Sequence, residues 1–279
     1  MSKKVKVSVI VENRAVKKDM IPEHGICFWL ETGSSYVIFD TGQGGTLVHN
    51  ARIMGIPLEQ VESVALSHGH FDHTGGLRIL LQSSRNPKVY VHPAAFHPKF
   101  ACNEYGQSRS IGMPAMTEKS LRKLAGEIIY TVGPTQITDS LFVTGEIPRI
   151  TEFEDTGGPF FLDHGGTKSD LFPDDQALFF ESSKGTVVLL GCAHAGVINT
   201  LLYIQQLTHG KPIHAVMGGM HLLSASPKRM ENTIQSLTHM NPDLVGPAHC
   251  TGKEATIELR EVFSEEFFPC LAGTSIEFD

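Results

Sequence analysis

The sequence predicts an α/β fold made of two similar β/α halves arranged about a pseudo-twofold axis. Three observations carry that prediction. Residues 27–42 and 177–192 match in length and pattern without a gap, each as an apolar strand, a polar turn and a second apolar strand. Each pair is followed by a helical stretch and then by a strand ending in histidine, at Ser67-His68-Gly69-His70 and at Gly218-Gly219-Met220-His221. The stretch from Ser67 to Gly76 also places three imidazoles and one carboxylate within six residues, directly behind the apolar run Val64-Ala65-Leu66. Two such halves bring their strand ends to a common edge, where α/β folds assemble their sites.

In order, residues 4–11 alternate as a strand, and a polar loop at 12–25 leads to a hairpin of 27–31 and 36–40 turning at Gly33-Ser34-Ser35. Thr41 to Gly45 opens a helix through about Met54, stopped by Gly55 and Pro57. A short helix near 58–62 feeds the strand ahead of the histidine stretch. Glycines 69, 75 and 76 argue that this stretch is a tight loop and not a helix. A helix begins at 76–81, and 88–91 is a strand ending at His92-Pro93. Segment 94–119, broken by Pro98, Gly106, Gly112 and Pro114, reads as an irregular excursion with short helical pieces. Strands follow at 128–132 and 141–144.

Segment 146–174 lacks periodicity and carries Phe153, Phe160, Phe161 and Phe172; connections this long are often lids or binding loops. The pattern then resumes with a hairpin of 177–181 and 186–190, a helix at 195–207 and a strand at 213–217. A helix from Ser226-Pro227 to about Met240 has proline in its first turn, and a strand at 243–245 precedes a closing helix at 253–263. The expected organisation is one domain over 1–279, with possible lids at 94–119 and 146–174.

The whole-chain numbers fit an ordinary globular protein, with 41% hydrophobic and 19% charged residues. A formal charge of -7 argues against nucleic acid as the partner, since such surfaces are usually basic. No apolar run approaches the roughly 20 residues of a membrane span, and Met1-Ser2-Lys3-Lys4 leads into a strand, so a cytoplasmic protein is expected. Five widely spaced cysteines, an odd number, read as free thiols in a reducing compartment. Fourteen histidines are the real departure in composition, and several stand at strand ends.

Histidine is the commonest ligand of borderline divalent metals, and a neighbouring carboxylate suits a second, harder position. His68, His70, Asp72 and His73, fanned from a strand end, are therefore read as a metal site. Together with Asp40-Thr41-Gly42, Gly191-Cys192-Ala193-His194 and Gly246-Pro247-Ala248-His249, this HxHxDH stretch resembles the metallo-β-lactamase fold superfamily over nearly the whole chain.

The resemblance implies a four-layered αββα sandwich. It implies that His68 and His70 hold one metal, that Asp72 and His73 help hold a second, and that His249 is the last ligand. Asp40 would orient the histidine loop from behind, or simply close a strand-end turn. The family's bridging aspartate is replaced by Cys192, a zinc-competent thiol or a small buried hydrophobe, with His194 as a ligand two residues on. The usual upstream histidine could be replaced by His164, Asp174 or Asp175. His221 resembles a residue that protonates a leaving group in some members; it could equally be a ligand or a plain strand-end residue.

The finer pattern is similar to the branch described as 7,8-dihydropterin-6-methyl-4-(β-D-ribofuranosyl)aminobenzene-5′-phosphate synthases. The leading expectation is a metal-dependent hydrolase or transferase for a phosphorylated or otherwise anionic small molecule. It would use one or two divalent ions, zinc first, with manganese, iron or magnesium as alternatives. Asp72 would combine ligation with proton transfer, His221 would be the second catalytic group, and Lys168, Arg109 or Lys119 could meet the anion. The alternatives are the synthase reaction, which displaces pyrophosphate, and a non-catalytic metal-binding or sensor protein. A di-iron redox role is a further alternative, for which the carboxylates are few.

Overall fold

The computed structural model describes residues 4–33, 35–103, 105–114 and 117–279. The chain runs β1 (Val5–Val11), β2 (Cys27–Thr32), β3 (Ser35–Phe39), α1 (Leu47–Met54), β4 (Ser63–Ala65), α2 (Phe71–Thr74), α3 (Leu77–Ser83) and β5 (Lys88–Val91). It continues through β6 (Phe100–Cys102), β7 (Ser108–Ser110), α4 (Glu118–Leu121), β8 (Glu127–Tyr130), β9 (Thr135–Gln136), β10 (Leu141–Val143) and β11 (Phe160–Phe161). The second half comprises β12 (Leu178–Ser182), β13 (Gly185–Leu190), α5 (Val197–Leu207), β14 (Ile213–Gly219), α6 (Pro227–Met240), β15 (Leu244–Ala248), α7 (Lys253–Val262) and β16 (Ser275–Phe278).

Two sheets dominate, in the orders β16-β1-β2-β3-β4-β5-β8 and β15-β14-β13-β12-β10-β9. The run β1 to β5 repeats as β10-β12-β13-β14-β15: two antiparallel pairings and then two parallel ones in both sheets. The expected duplication is therefore present in the pairing directions themselves.

Strand alternation explains the layering, because successive side chains leave opposite faces. Phe28, Leu30 and Phe39 of the first sheet meet Leu178, Phe180 and Leu189 of the second in one core between the sheets. The alternate residues Trp29, Ile38 and Val64 face Leu47, Leu77 and Leu80 of α1 and α3. Val188, Leu190 and Val216 face Val197, Leu201 and Leu237 of α5 and α6. The result is helix, sheet, sheet, helix.

Several expectations are corrected. The histidine stretch contains a helical turn, α2, because Gly75 and Gly76 flank it and do not interrupt it. The helix after Gly42 starts only at Leu47, since Gly42 and Gly44 take positive φ in the loop before it. The hairpin turn between β2 and β3 includes Ser34, which lies outside the described residues. Strand β16 adds an edge beside β1 that apolar alternation does not reveal. The irregular segments are less irregular than expected: β6 and β7 from the first and β11 from the second pair into a small three-stranded sheet.

Candidate metal centre

The loops that leave the strand ends turn sharply. Asp40 after β3, Ala193 after β13, His221 after β14 and His249 after β15 all have positive φ, at 61°, 55°, 47° and 50°. Non-glycine residues held this way are uncommon and cluster at functional sites. Here the turns swing side chains from both sheets onto one edge. Gly191 is required there, because a Cβ would fall 2.1 Å from Ser67 Oγ and 2.9 Å from Asp40 Oδ2.

His68, His70 and His194 meet at this edge. Their ring centroids are 4.5 Å apart for His68 and His70, 4.8 Å for His68 and His194, and 5.0 Å for His70 and His194. All three Nε2 atoms are buried with no hydrogen-bond partner. His68 directs Nδ1 to Ser67 Oγ at 2.9 Å, and His194 directs Nδ1 to the Thr156 carbonyl at 2.9 Å. Both Nε2 atoms are thereby left free. Burial comes first and neighbouring imidazoles second in pushing His68 and His194 well below the usual histidine range; burial does the same for His70. They stay neutral, as ligation requires.

A second group surrounds Asp72. Its Oδ2 lies 3.2 Å from His249 Nε2, 3.2 Å from His24 Nε2 and 3.7 Å from His73 Nε2. Burial alone would raise the Asp72 pKa, but His73, His24 and His249 overcome it and hold the carboxyl well below its ordinary value. Asp40 accepts from Ser67 N and Ser67 Oγ, both at 2.7 Å, and stands 2.7 Å from His73 Nδ1, so it fixes the loop and the ring together. Burial lowers the His73 pKa, yet the Asp40 and Asp72 carboxylates reverse this and raise it to about 9.

Cys192 lies between the two groups. Its Sγ is 3.1 Å from His73 Nε2, and it belongs to three compact donor sets: with His68 and His194, with His73 and His249, and with His221 and Cys250. In each set the donor atoms lie within 4.8 Å of one another. Burial pushes the Cys192 thiol well above its ordinary pKa. Orphaned imidazole nitrogens, a carboxylate and a thiol that converge in a buried place fit a divalent cation, the condition under which such donors are satisfied.

Not every candidate joins. His164 is exposed and packs on Phe100, away from the cluster, so it does not stand in for the missing histidine. Both Asp174 carboxylate oxygens are taken, one by Gly69 N at 2.8 Å and one by Lys99 Nζ at 2.8 Å. Asp175 is buried beside the His194 segment: Oδ2 accepts from Ala195 N at 2.8 Å and Oδ1 has no partner. His221 lies 4.2 Å from His194, ring to ring, against Gly157, where any Cβ would collide with it. Sequence reasoning missed His24 and Cys250. His24 stands in no motif, and only the fold carries it to residue 72, whereas Cys250 directly follows His249 in the His249-Cys250-Thr251-Gly252 stretch, the signal that could have found it.

The cavity beside these groups measures about 690 Å³, and Arg14, Arg109, Lys253 and Phe160 contribute to its wall. Lys168 and Lys119 do not line it. Phe160 stands edge-on or tilted to His70, His194 and His221 at 5.6, 5.2 and 5.8 Å.

This sandwich, with histidines gathered at its strand ends, has clear relatives. The chain matches the family model of the metallo-beta-lactamase superfamily over residues 21–249, and it belongs to that superfamily. It is 28% identical over 267 residues to a protein of Methanocaldococcus jannaschii named 7,8-dihydropterin-6-methyl-4-(beta-D-ribofuranosyl)-aminobenzene-5′-phosphate synthase, covering 92% of this chain and 90% of the relative. It is 32% identical over 259 residues to an uncharacterized protein of the same organism, covering 92% of this chain and 94% of the relative. Among solved structures it resembles Tm1679, described as a metal-dependent hydrolase of the beta-lactamase superfamily, with 28% identity, a TM-score of 0.81 and 98% of each chain covered.

Proposed function

We propose that this protein is a metal-dependent hydrolase or transferase acting on a phosphorylated or otherwise anionic small molecule. The observation that carries the reading is the convergence of three buried, unpartnered Nε2 atoms, those of His68, His70 and His194, the last two belonging to residues of the cavity wall. His68, His70 and His194, with Cys192, would hold one divalent ion; Asp72, His73 and His249 would hold a second, with zinc the first choice. An ion there supplies Lewis acidity: it makes a water a stronger acid and polarises an oxygen of the substrate.

The remaining roles belong to the chain. Asp72, kept ionised by the imidazoles around it, is placed to accept a proton. His221, whose Nδ1 is buried without a partner, is placed across from His194 to give one to the leaving group. Arg14, Arg109 and Lys253 are exposed on the cavity wall, and among the described residues no side-chain nitrogen of theirs has a carboxylate within 4.0 Å, so each could meet an anion, Arg14 beside the Glu12 carboxylate that its backbone N holds at 2.7 Å. Phe160 presents an apolar wall against the histidines, suited to a ring and to excluding water. We read 1–279 as one domain in which segments 94–119 and 146–174, tied by the β6, β7 and β11 sheet, cover the cavity as a lid.

After chelation and reconstitution with zinc, manganese or iron, the protein is expected to bind metal and hydrolyse a generic phosphodiester. His70→Ala should lower turnover at least about a hundredfold. Failure to bind any of the three metals would sink the reading. The relative named as a synthase favours a second possibility, displacement of pyrophosphate to join a pterin to an aminobenzene ribotide. Incubation with both substrates tests it, and the absence of coupled product counts against it.

A further inference from the structure

We propose that His24 joins Asp72 and His249 as a ligand of the second divalent cation, on the side of Asp72 opposite His73. The inference rests on the reading of the site as a metal centre and adds a residue from the segment between β1 and β2. His24 Nε2 and His249 Nε2 each stand 3.2 Å from the same oxygen, Asp72 Oδ2. The donor atoms of the three residues lie within 4.8 Å of one another. Two imidazoles and a carboxylate are a donor set that zinc uses at catalytic positions, where three protein ligands leave a place for water or substrate.

The surroundings aim the His249 ring and place His24 beside it. Asn13 stands between them: its Oδ1 lies 3.0 Å from His249 Nδ1 and accepts from Gly25 N at 3.2 Å, while its Nδ2 lies 3.5 Å from His24 Nδ1. His249 Nδ1 donates to Asn13 Oδ1, which leaves its Nε2 facing Asp72, as outer partners commonly orient imidazole ligands; His24 Nε2 faces the same carboxylate oxygen at 3.2 Å. The backbone is fixed as well. The His24 carbonyl accepts from Gln43 Nε2 at 2.6 Å, and His249 N donates to Glu12 Oε1 at 2.8 Å. Gly25 presses on the next part of the site, since a Cβ there would lie 2.4 Å from the Asp72 carbonyl oxygen.

His249 Nε2 is buried and, despite its 3.2 Å approach to Asp72, is out of line for a hydrogen bond. A cation shared by the three donors accounts for that approach. His73 reaches Asp72 from the interior, against Cys192, whereas His24 reaches it from solvent with 58% of its side chain exposed. The two histidines therefore serve opposite sides of one carboxylate.

Chelator-stripped protein is titrated with zinc against a chromogenic chelator and with cobalt(II) by its visible absorption. His24→Ala is expected to lose affinity for one cation by at least about tenfold, the scale of disrupting even an outer partner of a ligand. Thermal stability of the metal-free protein should be unchanged. His24→Gln keeps a donor toward Asp72 but no imidazole, and should lose as much. Equal zinc affinities and equal cobalt spectra for wild type and His24→Ala overturn the proposal. So does full recovery in His24→Gln, which would make His24 a hydrogen-bonding neighbour only. Absence of cation binding by the wild type overturns the metal-centre reading with it, whereas tight binding indifferent to His24→Ala removes His24 alone.

Discussion

At Asp175 burial decides the chemistry of a carboxylate. Loss of solvent raises its pKa to about 7; the Ala195 amide opposes the rise and the Asp174 charge reinforces it. In the metal-free protein the folded state therefore holds this proton across a range in which the unfolded state, titrating near the usual 3.8, has released it. Folding stability contributed by the protonated form is lost as pH climbs through that range, the reverse of a salt-bridged aspartate. Over about pH 5 to about pH 7.5 this loss opposes the gain from the buried neutral His68, His70 and His194, so urea midpoints of chelated protein should rise more steeply with pH in Asp175→Asn than in the wild type.

The neighbouring residues divide by legibility. His68 to His73 can be read from sequence because four donors within six positions at a strand end suit few purposes besides holding a metal. His24, Asn13 and Glu12 cannot, since each is an isolated polar residue in a loop and gains meaning only when β15 delivers His249 beside it. Asp174 has the chemistry of a donor and is instead occupied by Lys99 and the Gly69 amide, partners distant in sequence.

Helix α5 shows how an element is positioned for the site. It follows the Cys192-to-His194 turn directly, and its first amides are met by a side chain from the long segment before β12: Glu154 accepts from Ile198 N at 2.9 Å and Asn199 N at 2.8 Å. Without that carboxylate two amides at a buried helix start lose their partner. Glu154→Ala should cost about 1–3 kcal/mol, the penalty of unsatisfied buried donors, read from chemical unfolding. Since Glu154 is remote in sequence from the helix it caps, the spacing of apolar residues reveals the length of α5 but not its anchor. The same limit hides β9, β11 and β16, which have two to four residues and little alternation. Longer elements, such as α6 with Ser226 accepting from Arg229 N and Pro227 in the first turn, carry their own start signals and are plain.

For the molecule as a whole, the site lies where two duplicated sheets meet, so a cation there bridges halves that otherwise touch through a shared apolar core. An ion that binds only the folded state stabilises it by mass action, about 2.7 kcal/mol at a hundred times its Kd. Zinc added to stripped protein should raise Tm by roughly 5–10 °C in calorimetry, and His70→Ala should remove most of the rise. Among the described residues no helix is long and apolar enough to cross a membrane. Cys192 gives this junction one further property. Among the described residues, three of the four donor sets share its sulfur. A carboxylate in its place would be inert to peroxides, but a thiol that a bound cation ionises can climb an oxidation ladder whose upper rungs are irreversible. A single oxidised atom would then strip a donor from three sets at once, leaving the centre with one point of failure.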